Sequence, residues 1–80
     1  MKEVTLLNYE RDKDSFFSNY VPGSAPSLRG YIKLARDGSV IDEEKVDIDD
    51  GEAYYRMAKT HLNCMWNMEP LPIKSIIFFD

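Results

Sequence analysis

Asp14-Ser15-Phe16-Phe17-Ser18-Asn19-Tyr20-Val21 separates two folds for this chain. Phe16, Phe17, Tyr20 and Val21 recur at one- and four-residue spacings, as on one face of a short helix. The polar run Arg11-Asp12-Lys13-Asp14-Ser15 ahead of them supplies N-cap residues. Pro22-Gly23 behind them ends a helix, and Gly23-Ser24-Ala25-Pro26-Ser27 reads as loop. A two-turn helix over 14–21 and an aromatic-anchored loop both fit residues 10–27; the spacing favours the helix.

Outward from that segment the pattern is clearer. Residues 3–9 alternate as a strand, with Val4 and Leu6 on one face and Thr5, Leu7 and Tyr9 on the other. Residues 28–36 form a second strand, with Leu28, Ile32 and Leu34 against Arg29, Tyr31 and Lys33. Asp37-Gly38 is a hairpin turn signal, because glycine tolerates positive φ. The return strand, 40–48, fixes the turn type. A G1 bulge at Gly38 puts Val40, Val46 and Ile48 on the face of Leu34, whereas a plain two-residue turn puts them on the wrong side. The bulge leaves Arg29, Tyr31, Lys33, Glu43, Lys45 and Asp47 on the outer face.

The main helix is expected over residues 50–67. Asp49 and Glu52 have capping-box spacing, and Pro70 and Pro72 stop the helix. Tyr54, Ala58, His61, Leu62 and Met65 make its apolar stripe, with Met57 and Met68 at the edge. A last strand, 73–79, puts Ile73, Ile77 and Phe79 on one face and Ile76 and Phe78 on the other. Both its faces are apolar, which suits helices on one side and a partner on the other. The fold class is α+β: a four-stranded, mostly antiparallel sheet with one main helix and a short helix near 14–21. The order β-α-β-β-α-β resembles the ferredoxin-like split pattern, a resemblance that carries no function.

Eighty residues make one domain, spanning 1–80. A chain this short buries roughly 60% of its unfolded surface. The aromatic content of 12% supplies large buried areas in compensation. Cys64 is the only cysteine, so no intramolecular disulfide forms and no oxidising compartment is needed. No signal-peptide core and no apolar run of membrane-spanning length is present, and these features together suit the cytoplasm. A net charge of −4 argues against a dedicated nucleic-acid binder, which presents a basic face.

The conspicuous chemistry is acidic: Asp42, Glu43, Glu44, Asp47, Asp49, Asp50 and Glu52. Clustered carboxylates bind hard cations, but the EF-hand spacing fails here. Counted from Asp47, the turn glycine falls one place early at Gly51, and the twelfth position is Ala58. Asp49, Asp50 and Glu52 suit the start of a helix instead. A carboxylate-rich edge also imitates nucleic-acid phosphates in a basic groove. His61 has no orienting partner among its helix neighbours, and Cys64 points away from the core, so no catalytic pair is expected. Tyr55 and Trp66 fall on nearly the same side of a helix, with Lys59 between them, as the aromatic ends of a contact ridge. Phosphate-binding, zinc and nucleophile-elbow motifs are missing, and no cofactor is expected.

The expected function is therefore non-catalytic binding of a protein, as an inhibitor or adaptor. The candidate contacts are Glu43, Asp47, Asp49, Asp50, Tyr55, Lys59 and Trp66. Small acidic chains that begin with Met and look like whole reading frames are similar in type to phage and mobile-element proteins. Such proteins block host enzymes or defence systems, as anti-CRISPR and anti-restriction proteins do. The partner expected on that analogy is a nucleic-acid-processing complex in a host cytoplasm. Two alternatives stand beside it. One is nucleic-acid binding through Arg29, Tyr31, Lys33 and Lys45; the other is a metal-dependent nuclease or hydrolase built on carboxylates. A homodimer is compatible with all three, because thin cores are often supplemented by association.

Overall fold

The computed structural model describes residues 1–47 and 52–80. Its elements are β1 (Lys2–Arg11), β2 (Ser15–Pro22), β3 (Gly30–Ala35), β4 (Val40–Glu44), α1 (Ala53–Asn63) and β5 (Lys74–Phe79). The five strands form one antiparallel sheet in the order β4-β3-β2-β1-β5, and α1 packs on one face of it against β1, β2 and β5. The α+β class stands, with five strands rather than four, and the order is not the ferredoxin-like one.

The difference lies in residues 14–21, which form strand β2 and not a helix. Phe16 and Tyr20 are four apart, a spacing that is even and therefore fits a strand face as well as a helix face. Phe16, Ser18, Tyr20 and Pro22 are buried while Phe17, Asn19 and Val21 are partly exposed, an alternation of two. Aromatic residues favour a strand, and Val21 precedes a proline, which pushes it to extended backbone. The polar run ahead of β2 does cap, but it caps a hairpin. Asp12 Oδ1 accepts the backbone N–H groups of Asp14 (2.7 Å) and Ser15 (2.8 Å). An aspartate that satisfies donors two and three residues on serves a turn as readily as a helix start.

β1 carries a bulge. Leu7 faces Asn19 and Glu10 faces Phe17, so Asn8 and Tyr9 share the place opposite Ser18. Asn8 takes the left-handed conformation, φ 58°, and its side-chain amide donates to Asn19 Oδ1 at 2.9 Å. The bulge swings Tyr9 off the face of Leu7, where strict alternation puts it, and packs it against the core. There its hydroxyl donates to Ser75 Oγ at 2.8 Å and joins β1 to β5. Ser18, buried, lies within hydrogen-bond distance of the carbonyls of Leu7 (3.1 Å) and Asn19 (2.8 Å).

The β3–β4 turn has the expected G1 bulge. Gly38 has φ 91°, its N–H donates to the Ala35 carbonyl (2.9 Å), and the Ala35 N–H donates to Ser39 (2.8 Å). A second irregularity comes next: Leu34 faces Val40 but Lys33 faces Asp42, leaving Ile41 as an extra residue. That extra residue reverses the faces expected beyond it. Asp42 and Glu44 point outward, and Glu43 pairs with Ile32 on the helix side. β4 ends at Glu44, short of the predicted 48; Val46 still reaches the core, and Ile48 lies outside the described residues.

α1 is shorter than the predicted 50–67. Its N-cap is Glu52, at φ 59°, with no side-chain cap bond; Asp49, the other half of the predicted capping box, lies outside the described residues. The helix ends at Asn63 in tight turns, Cys64 N–H to the His61 carbonyl and Met65 N–H to Leu62, both 3.0 Å. The Arg11 guanidinium collects the carbonyls beyond. Nη1 donates to Met65 (3.1 Å), Trp66 (3.1 Å) and Met68 (2.7 Å), and Nη2 pairs with Glu69 (3.1 Å). The core between helix and sheet includes Val4, Leu6, Phe16, Tyr20, Ile32, Leu34, Tyr54, Tyr55, Ala58, Leu62 and Met65.

Candidate partner-binding surface

The candidate residues fall in separate environments. Glu43 and Tyr55 come together beside α1, with Lys59 close enough for its charge to act on Glu43. Tyr55 is buried in the core, where its ring meets Tyr20 edge-on (centroids 6.2 Å apart). Its hydroxyl donates to Glu43 Oε1. Lys45 lies over the same ring at 4.7 Å and bridges Glu43 (3.3 Å) and Glu52 (2.5 Å). Burial and the adjacent Glu43 push the Tyr55 phenol well above its ordinary value. The Tyr55 hydrogen bond, with Lys45 beside it, holds the Glu43 carboxyl below the ordinary carboxylate value. The cluster closes the edge of the core, with its charges mutually compensated.

Trp66 is not on α1 but in the turns after it. The ridge expected from helical spacing with Tyr55 is therefore absent. The indole packs edge-on against Phe16 (5.2 Å), carries Arg36 over its ring (4.7 Å) and donates Nε1–H to Asn63 Oδ1 (3.1 Å). Asp47 is exposed, and Asp49 and Asp50 lie outside the described residues.

Two surfaces remain. The first is the β4 margin of the sheet face opposite α1, where Asp42 and Glu44 stand beside Lys33 and Tyr31, with exposed Asp47 beyond them. Side chains two apart on a strand are spaced by about 7 Å. The second is the sheet face opposite α1. There Phe17 and Tyr31 pack at 5.7 Å, Lys33 stands between Phe17 and Asp42 in register, and Tyr31 donates to Asp42 (3.2 Å). Leu7, Val21, Ile76 and Phe78 extend that face toward β5. A helical reading of 14–21 hides Phe17; strand alternation is the signal that reveals it. Lys45, expected on this face, turns to Glu43 and Glu52 instead because of the shift at Ile41.

Among the described residues, no three or more His, Cys, Asp or Glu side chains form a group able to hold a metal ion. Cys64 is free and exposed, and no described helix is long and apolar enough to cross a membrane. The fold thus defines a small antiparallel sheet with one helix on one face and, among the described residues, no element on the opposite face. Comparison with known proteins finds no matching family model, no similar curated protein and no similar solved structure.

Proposed function

We propose that this chain is a non-catalytic protein-binding domain, an inhibitor or adaptor that offers its acidic β4 edge to a basic groove of a nucleic-acid-processing protein. The observation carrying the reading is the outward row Asp42 and Glu44, with exposed Asp47 after it, on a strand at the margin of the sheet. Carboxylates along an extended edge stand where phosphates would lie, and steer association with a positive surface. Glu43, spent on Tyr55 and Lys45, supports this edge from behind rather than joining the contact. Phage and mobile-element inhibitors of host enzymes and defence complexes are the type this resembles.

The test is capture by the immobilised chain from nuclease-treated bacterial lysate, and then competition by nucleic acid for the purified captured protein. The expected result is a discrete protein, displaced by nucleic acid and lost with D42N/E44Q/D47N. Capture unaffected by that triple change would overturn the acidic-edge reading.

A second reading has one observation in its favour. The uncovered sheet face carries the Phe17–Tyr31 pair beside Lys33, an arrangement on which unpaired bases stack. Direct binding of single-stranded nucleic acid, falling steeply with salt and lost with F17A/Y31A, would favour it.

A further inference from the structure

β5 forms the opposite margin of the sheet, and no strand lies beyond it among the described residues. It pairs with β1 without a bulge from Lys74 to Phe79. Ile76 and Phe78, on the uncovered face, are 47% and 62% exposed, and Ile73, just before the strand, is 93% exposed. A straight, apolar, unprotected edge is a template for another strand.

We infer that the strand taken up is β5 of a second copy, paired antiparallel about a two-fold axis through Ile77, so that two sheets become one. Self-complementarity of the strand selects this occupant. In that register Ile77 meets its own copy, Ser75 faces Phe79, Ile76 faces Phe78 and Lys74 faces Asp80. Lys74, Ile76 and Phe78 alternate onto one face and Asp80 follows the strand directly, so the seam brings Lys74 of one copy to Asp80 of the other at both ends, with apolar pairs between them. A shift of two residues either way opposes Lys74 to Phe78 or Asp80 to Ile76 and breaks both charge pairs. A shift of one residue puts every side chain on the wrong face.

The helix side agrees with the same register. Ala53, Arg56, Met57, Thr60, Phe79 and Asp80 line a mainly apolar groove of about 310 Å³ along this edge. Ser75 of the second copy lies opposite Phe79, so Ile73 of the second copy runs past Asp80 to the mouth of that groove. The dimer is independent of the β4 edge and of the function proposed for it.

Sedimentation equilibrium of the full chain, from micromolar to millimolar concentration, tests the association. Carbodiimide cross-linking with mass spectrometry tests the register. Lys74 and Asp80 of one strand are about 20 Å apart, so an amide between them forms only between copies. Expected are a dimer and a Lys74–Asp80 link confined to it. K74E should weaken association about tenfold, F78K by more, and K74E/D80K should restore it to within about threefold. A monomer at every concentration would overturn the inference. So would a dimer that lacks the link, or one indifferent to K74E when circular dichroism shows the variant folded.

Discussion

Replacing Arg11 by Met should cost this small domain a large part of its stability, while neutralising its ion-pair partner should cost little. The Arg11 side chain is 17% exposed, and its Nη1 is shared among the carbonyls of Met65, Trp66 and Met68, at the point where the chain leaves α1. One nitrogen offers two hydrogens, so three contacts are worth about two bonds. Hydrogen bonds from a charged donor contribute about 1.5–3 kcal/mol each, and partial rehydration of the freed carbonyls at the rim offsets some of that. Methionine keeps an unbranched apolar side chain there but loses the guanidinium over the Phe16 ring (5.7 Å), which leaves a net loss of about 2–3 kcal/mol. Glu69 is 80% exposed, so its pair with Arg11 contributes only about 0–1 kcal/mol. For a chain of this length 1 kcal/mol corresponds to about 6 °C in Tm. R11M should therefore lower Tm by about 12–18 °C and E69Q by no more than about 6 °C, with R11K between them because an ammonium lacks the fork. Thermal and urea unfolding monitored by circular dichroism measures all three. An E69Q loss as large as that of R11M, or an R11M loss below about 1 kcal/mol, would refute the carbonyl-gathering role.

The packing and the charges set three further outcomes. G30A should destabilise by about 1–3 kcal/mol or prevent folding, measured by urea unfolding, because the new Cβ would lie 2.5 Å from both the Glu44 carbonyl and the Tyr20 ring. N8V should cost about 1–2 kcal/mol in the same assay, since a β-branched residue resists φ 58° and loses the Asn19 bond. Glu43 ionises below its ordinary 4.5 in the folded state, so its contribution is full above that value and disappears as pH falls through the lower folded one. Y55F removes the main cause, so NMR titration of the Glu43 side chain should show its midpoint rise toward 4.5; an unmoved midpoint would show that Tyr55 is not responsible.

The parts of this fold legible in the sequence are those where one period alone fits. Val4 and Leu6, the Asp37-Gly38 turn and the stripe of Tyr54, Ala58, His61 and Leu62, whose three-residue step from Ala58 to His61 no strand face allows, are of that kind. Phe16 and Tyr20 are not, because a spacing of four satisfies both periods, and Asp12 signals a turn and a helix start alike. The bulges at Asn8 and Ile41 are illegible for a different reason. Each inserts one residue without an obligatory glycine, yet reverses the facing of its successors, Tyr9 in one case and Glu43 in the other. The candidate site inherits that error. Simple alternation puts Glu43 outside with Asp47, and helical spacing puts Tyr55 at the margin of the core; the tertiary contact between them draws both inward. Arg11 carries no local signal, since its partners lie more than fifty residues along the chain.

The two margins of the sheet are built on opposite principles. β4 follows the bulged turn at Gly38, is interrupted at Ile41, ends at Glu44, and carries Asp42 and Glu44; irregularity and charge both oppose strand addition. β5 has no irregularity, and its one charge, Lys74, stands at its first position. A sheet so made would add strands at one side only, so the proposed association would stop at two copies rather than continue into a fibre. In the ten-stranded sheet of the proposed dimer the two acidic margins would lie about 43 Å apart at opposite ends. A partner presenting two basic grooves at that separation would engage both, and the second contact would then be intramolecular. The β5 seam would in that way raise the avidity of the β4 edge without touching the ligand itself.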